Sequence, residues 1–345
     1  MMATAELLAL ALLPRFTPRR ARALRELFQS GRTSTELALV DAGTIAACQG
    51  VLASIGARFL ADEEPDFPEE LREIPDPPLH LFVRGTLPPR ALAPRVGIIG
   101  ARAASEAGKE IAFVLGRDLA LAGCVIVSGL ARGIDGEAHR GALAADGCTL
   151  AVLGSGLDIC YPSEHRALFD AIPKRGALLS EFPPGTPPLA HHFPMRNRIL
   201  SGLVDLLIVV EGTEKSGARS TVDHALDQGR EVWAVPRDIL LAGSALPNRL
   251  LADGAPPVRS ANDVLLAVRE SRAAAGHGGR GPNVDLAEEI LRVTEGGARS
   301  LDELVQALPS RAVAEIQAVL STLELEGAIT RRHDGSIGRR VAAPR

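Results

Sequence analysis

The residues best suited to chemistry lie together in the run His192-Phe193-Pro194-Met195-Arg196-Asn197-Arg198. Two arginines and an amide stand at what the pattern reads as the opening of a helix that leads into an apolar strand. Pro194 suits a first helical turn, where backbone N–H groups lack intrahelical partners. Those donors, with the guanidinium forks of Arg196 and Arg198, can receive phosphate oxygens. A basic surface turn is the plainer alternative for the same residues.

The elements that must position such a receiver are short apolar runs at 96–99, 125–127, 150–153, 178–179, 206–210 and 232–235, separated by helical patterns. That alternation predicts an α/β fold, a mostly parallel sheet with helices on both faces. Ligands of such sheets bind at the carboxyl ends of the strands. The first run ends in Gly100-Ala101-Arg102, the second in Ser128-Gly129-Leu130-Ala131-Arg132-Gly133, and the third in Gly154-Ser155-Gly156-Leu157-Asp158. The fifth ends in Glu211-Gly212-Thr213-Glu214-Lys215-Ser216-Gly217, with Arg219 just beyond. Glycine permits close backbone approach, and the basic and hydroxyl side chains supply donors. The candidate phosphate ligands are therefore Gly100, Arg102, Ser128, Gly129, Arg132, Gly154, Gly156, Arg196, Asn197, Arg198, Lys215, Ser216, Gly217 and Arg219.

Familiar chemistries fit these loops poorly. A dinucleotide fingerprint needs G-x-G-x-x-G and an acidic residue ending the second strand, whereas the first turn offers only Gly97 and Gly100. The fifth loop spaces Gly212 and Gly217 like a P-loop, but Ala218-Arg219 stands where Lys and Ser/Thr are required. There is no G-x-S-x-G elbow. His191-His192 has no second cluster at metal spacing, and His139 reads as a packing or capping histidine. Asp135 and Glu137 flank a helix start, where capping and complementing the dipole suffice to explain them. Neither a catalytic residue, a metal nor a cofactor is expected.

Composition bounds the remainder. A chain of 345 residues, 46% hydrophobic, is long enough for a substantial core and two or three domains. With 38 Lys+Arg against 42 Asp+Glu, net −4, the chain is not globally basic, so any affinity for nucleic acid must come from a local patch. Cys48, Cys124, Cys148 and Cys160 form no C-x-x-C pair and read as structural thiols of a reducing cytoplasm. The apolar run Leu7 to Leu13 has no basic flank and stops at Pro14, and no segment is long enough to span a membrane. A cytoplasmic protein is expected.

Taken in order and spacing, Gly100-Ala101-Arg102, Ser128-Gly129-Leu130-Ala131-Arg132-Gly133-Ile134-Asp135, Gly154-Ser155-Gly156-Leu157-Asp158 with Tyr161-Pro162, and Phe193-Pro194-Met195-Arg196-Asn197-Arg198 resemble the DNA-processing protein A family (DprA, also called Smf). The resemblance runs from Asp66-Phe67-Pro68 to about Val258. It implies an extended Rossmann-like domain that binds single-stranded DNA and, in naturally transformable bacteria, hands it to a RecA-type recombinase. It further implies a homodimer and no established enzymatic activity. Arg102 then matches the first-strand arginine, Ser128, Gly129 and Arg132 the second loop, Arg196 to Arg198 the central arginine motif, and Lys215 to Gly217 the fifth loop. Three positions depart from the pattern: Ala218 replaces serine, Arg237 replaces glycine, and Ser163 stands where a basic residue often follows Tyr-Pro. Phosphate-directed binding implies little sequence preference and a steep salt dependence. Aromatics are only 3% of the chain, and Tyr161, Phe182 and Phe193 are the candidates to stack on bases.

The flanks complete the expected organisation. Residues 1–60 read as a basic helical domain, of the SAM or helix-hairpin-helix kind by resemblance, with Arg15, Arg19, Arg20, Arg22 and Arg25. Residues 61–94 read as a proline-rich connector packed on the core at 95–270. A flexible linker at 271–283 precedes three helical patterns and a hairpin at 284–345, the pattern of a winged helix. Its third helix carries Glu315, Glu324 and Glu326 against Arg311, whereas the hairpin offers Arg331, Arg332, Arg339 and Arg340. Two other functions stay open: a nucleotide or nucleoside-phosphate hydrolase with Asp135, Glu137 or Glu211 as base, and a winged-helix transcription regulator.

Overall fold

The computed structural model describes residues 4–13, 20, 23–26, 40–274, 282–295, 300–309, 316, 317, 319, 320, 323, 324, 329–331 and 336–339. The chain divides into two compact units, one formed by Met1–Ala120 with Cys124–Ala261 and the other by Leu121–Gly123 with Asn262–Arg345.

The first unit is built on one eight-stranded sheet. Its strands are β1 (Ala57–Ala61), β2 (His80–Gly85), β3 (Arg95–Ile99), β4 (Val125–Ser128), β5 (Thr149–Leu153), β6 (Ala177–Ser180), β7 (Leu206–Val209) and β8 (Glu231–Ala234). They lie in the order β1-β2-β6-β5-β4-β3-β7-β8. The six strands from β6 to β8 are mutually parallel, while β2 runs antiparallel to β6 and β1 antiparallel to β2. All six expected core strands are present. The chain winds outward from β3 through β4, β5 and β6, then returns to place β7 on the other side of β3. Beyond the carboxyl ends of β3 and β7 such a reversal leaves a crevice that no crossover helix covers.

Alternation along the strands builds two apolar layers. Leu81, Val83, Val125, Val127, Leu150, Val152 and Leu179 join one core with Ile199, Leu200, Leu203, Ala218, Val222 and Ala225 from the His192–Gly202 and Gly217–Asp227 helices. Their sequence neighbours Phe82, Ala151, Leu153 and Leu178 join the opposite core with Leu8, Ala11, Cys48, Leu52, Leu168 and Phe169.

Two strands were not expected. β1 falls across the boundary at 60, and β2 lies inside the proline-rich 61–94 segment, so both stretches contribute to the sheet rather than lying beside it. The prolines bracket β2 instead of interrupting it, with Pro77-Pro78 before and Pro88-Pro89 after, which leaves its N–H groups free to pair. The segment is fastened by buried polar groups: Arg95 pairs with Glu70 and donates to Pro88 O at 2.7 Å, and His80 Nε2 meets Glu181 O at 3.0 Å. Arg25, expected on a basic face, is tied to Asp62 and Glu63 at 2.5 and 2.6 Å. Arg15, Arg19 and Arg22 lie outside the described residues.

In the second unit, helices Pro282–Glu295 and Leu301–Ala307 precede an antiparallel pair, β9 (Ile329–Arg331) and β10 (Ile337–Arg339). Ser300 caps its helix in a reciprocal box with Glu303. Leu286, Ile290, Leu304, Ile316, Leu320, Ile329 and Ile337 share one core. The linker expected at 271–283 is shorter at both ends, because one helix runs on to Ala274 and the next begins at Pro282; residues 275–281 lie outside the described residues, as do the hairpin turn and Arg311, Glu315, Glu326, Arg332 and Arg340.

Candidate nucleic-acid interface

The crevice at the reversal of strand order has a volume of about 620 Å³. Its walls are the turns after β3 and β7, the start of the His192–Gly202 helix, and Ala242-Gly243. Gly217 opens an 11-residue helix, so its first two amides, those of Gly217 and Ala218, stand at the wall without intrahelical partners. Ser216 precedes it with extended backbone but does not cap it; its hydroxyl is buried and has no hydrogen-bond partner among the described residues. An anion here would meet amides, that hydroxyl and the positive end of a helix dipole.

Arg196 is the buried cation of the site, 5% exposed. Its Nη1 donates to Gly129 O at 2.9 Å and to Val152 O, and its Nε to Asn197 Oδ1 at 3.2 Å. Burial draws the guanidinium down to about 10, although nearby Asp135 opposes this. It is therefore charged at neutral pH. Asp135 is also buried, and that pushes its pKa up against the pull of Arg196 and of the amides of Ala131, Gly129 and Gly100. Gly129 separates the pair. A Cβ there would lie 2.5 Å from Arg196 Nη2 and 2.7 Å from Asp135 Oδ2, so glycine is what allows the guanidinium to reach the main chain. Asn197 lines the same wall and donates to Gly217 O at 3.4 Å, a long contact.

The rim is more exposed. Arg102 lies over the Phe193 ring at 4.7 Å, and Phe193 is 5.7 Å from Tyr161. Gly154 lies beneath Phe193, and a Cβ there would come within 3.2 Å of the ring. At Gly100 a Cβ would collide with Ile134 at 2.5 Å and Glu211 O at 2.7 Å, so that glycine serves close packing of the turn. Lys215 is exposed beside the crevice loop. No carboxylate pairs with Arg102 or Lys215 among the described residues. Of the three aromatics, Phe182 is a core residue stacked on His192 at 4.2 Å; Tyr161 and Phe193 remain accessible.

Several expected ligands are placed elsewhere. Ser128 is fully buried and donates to Ile98 O at 2.6 Å, tying β4 to β3. The Gly156 amide is committed to Thr186 O at 3.0 Å. Arg132 pairs with Glu164, and Arg219 with Asp223 at 2.7 Å; neither lines the crevice. Arg198, 3% exposed, holds both oxygens of buried Glu181 at 2.8 Å and Asp76 at 2.9 Å. Burial opposes its charge, yet Glu181 and Asp76 raise its pKa above the usual value. Arg198 thus fastens the helix rather than facing a ligand.

The carboxylates expected as bases are likewise occupied. Glu211 accepts from Ser105 N at 2.8 Å and Ser105 Oγ at 2.5 Å, and pairs with Arg237. Glu137 pairs with Arg140 at 2.6 Å. This Ser105–Glu211–Arg237 cluster went unseen in sequence. Its one signal is an acidic residue at a strand end facing a serine that starts a helix, combined with arginine where glycine is usual. His139 is buried against Thr149 Oγ1 at 2.7 Å, a packing histidine held near pKa 3 by burial. Burial also lifts the Cys48 and Cys148 thiols to about 11, and none of the four cysteines is paired. Among the described residues no cluster of three ligating side chains could hold a metal, and no helix is long and apolar enough to cross a membrane.

Comparison with known proteins identifies the family and the fold. The family model described as DNA recombination-mediator protein A matches residues 58–269. The chain is 43% identical over 199 residues to DNA processing protein DprA of Bacillus subtilis, covering 58% of this chain and 67% of the relative. It is 43% identical over 201 residues to protein Smf of Escherichia coli, covering 58% of this chain and 53% of that one. The X-ray structure of DprA from Streptococcus pneumoniae superposes with a TM-score of 0.64 at 32% identity, over 77% of this chain and 98% of that one. DNA processing protein A from Helicobacter pylori, described for its single-stranded DNA binding mode, gives a TM-score of 0.55 at 27% identity, over 61% and 95%.

Proposed function

The chain belongs to the DNA recombination-mediator protein A family, and from that membership we propose that it binds single-stranded DNA by its phosphates in the crevice beyond β3 and β7. The observation that carries this reading is the charge arrangement. A buried Arg196, fixed to main-chain carbonyls, stands among helix-start amides and the buried Ser216 hydroxyl, which has no hydrogen-bond partner among the described residues, with Arg102 at the rim. Such donors hold phosphate and are indifferent to base identity. A narrow crevice admits one flexible backbone and excludes a rigid duplex.

Family membership supports the role of a non-catalytic cytoplasmic mediator that protects incoming strands and delivers them to a RecA-type recombinase in natural transformation or another recombination task. It acts as a homodimer through the large unit, and the terminal helices and hairpin form a winged helix. The hydrolase reading loses two of its three bases, since Glu211 and Glu137 are held in ion pairs.

The test is fluorescence anisotropy with labelled single-stranded and duplex oligonucleotides across a salt series, for the wild type, Arg102→Ala and Arg196→Ala. Preferential single-strand binding, weakened in both variants and falling steeply with salt, is expected. Binding that neither substitution touches removes the crevice from the reading. Turnover of a mononucleotide that Asp135→Asn abolishes would replace it with the hydrolase.

A further inference from the structure

Ile239 and Leu240 are 83% and 87% exposed, more than any other large hydrophobic residue described. They occupy the turn between β8 and the Ala245–Ala252 helix, separated by the less exposed Leu241 from Ala242-Gly243 of the crevice wall. Isolated apolar side chains on a surface need no explanation. Two adjacent ones on a turn held at both ends do.

The turn is well fastened. At its start Arg237 pairs with buried Glu211, its N–H donates to Asn248 Oδ1 at 3.1 Å, and its carbonyl accepts from Asn248 Nδ2 at 2.9 Å. Within it, Leu240 N donates to Asp238 Oδ1 at 2.9 Å. At its end Gly212 N donates to Gly243 O at 2.7 Å, which joins the turn to the loop after β7. Arginine at 237, where the family pattern has glycine, supplies one of these anchors. A turn so tied presents its side chains with little further ordering on binding.

We propose that Ile239 and Leu240 form an apolar contact for unstacked nucleobases of the strand whose phosphates the crevice holds. This rests on the phosphate-crevice reading and extends it. A strand held by its backbone in a crevice turns its bases outward, toward the mouth. Among the described residues, accessible aromatic surface near that mouth is confined to Phe193 and Tyr161, and aliphatic side chains also shield a base face from water, as apolar wedges do between base steps. Removal of both side chains sacrifices apolar burial without removing charge, so affinity changes while the salt slope does not.

The experiment compares the full-length wild type with the double variant Ile239→Ser/Leu240→Ser. The probes are labelled oligothymidine and an abasic strand of the same length, titrated across a salt series, with sedimentation velocity on each protein. The wild type should prefer the strand with bases by roughly tenfold, and the variant should bind both alike at the weaker level with an unchanged salt slope. Equal binding of both strands by the wild type overturns the proposal and leaves the crevice reading standing. So does a variant whose weakened binding accompanies a changed oligomeric state, which would assign the turn to contact between copies. Binding of neither strand by the wild type removes the crevice reading and this one together.

Discussion

Arg198 provides the sharpest separation between what the arginine motif suggests and what the fold does with it. Both Arg198 and Glu181 are nearly inaccessible, with side chains 3% and 2% exposed. Replacing Arg198 by methionine keeps the stem and leaves a carboxylate buried without its cation. Breaking a buried pair in this way costs about 3–5 kcal/mol. For a unit of this size, 1 kcal/mol moves the melting temperature by about 2–4 °C, so Arg198→Met should melt roughly 6–20 °C lower. A second change, Glu181→Met, removes the stranded charge, and the double variant should recover much of the loss. Asp76, whose side chain is 37% exposed, can rely on water. Thermal unfolding by circular dichroism reads these shifts, and anisotropy at temperatures where every variant is folded reads the salt slope, which should not move. An Arg198→Met protein of unchanged melting temperature but shallower salt slope would refute the reasoning and return Arg198 to the phosphates.

Arg102→Ala should behave in the opposite way, with a salt slope lower by about 0.7 for one lost phosphate contact on a single strand and a melting temperature close to that of the wild type. Gly129→Ala drives a methyl group into Arg196 and Asp135; overpacking should cost about 1–3 kcal/mol in denaturant titrations and single-strand affinity should fall roughly tenfold. Asp135→Asn removes a buried negative charge beside Arg196 and should strengthen phosphate binding a few-fold in the anisotropy assay, whereas a weaker complex would show that the carboxylate aligns the guanidinium. Stability should fall with acid. Burial, the leading cause, holds His139 near 3 and His80 near 4 against an ordinary 6.5, so their neutral forms favour the fold fully above pH 6.5. That contribution is lost as the pH drops from 6.5 toward 4, by up to about 1.4 kcal/mol per pH unit for each histidine. His139→Phe should flatten this slope in denaturant melts between pH 4 and 7.

The core strands were legible because continuous apolar runs bounded by glycine admit few other readings, and the reversal of strand order brings the loops after β3 and β7 together. β1 and β2 were not, since five or six residues between prolines or after a glycine turn carry too weak a period. Side-chain fates were harder still. Spacing identifies which loop a residue occupies, but it does not reveal that Glu164 lies opposite Arg132 or that Glu181, 17 residues from Arg198, closes on it in space. Carboxylate partners distant in sequence decided which arginines remain available.

The triplet Arg196-Asn197-Arg198 shows why a motif can belong to one function while its members do different work. Consecutive helical residues are turned about 100° from one another, so three in a row cannot face one ligand. Here Arg196 reaches the carbonyls of Gly129 and Val152, Asn197 the start of the next helix, and Arg198 the carboxylates of Glu181 and Asp76. Gln228 adds a bond to Arg198 O at 2.9 Å, and Ser201 folds back onto Asn197 O at 3.0 Å. The helix is therefore fixed on three sides by polar contacts of definite direction, which apolar packing alone would not impose. A guanidinium held in this way has already surrendered its rotamer freedom before a phosphate arrives, and binding need not supply that entropy. Arg198 would then serve DNA binding without touching DNA, by keeping Arg196 where it is.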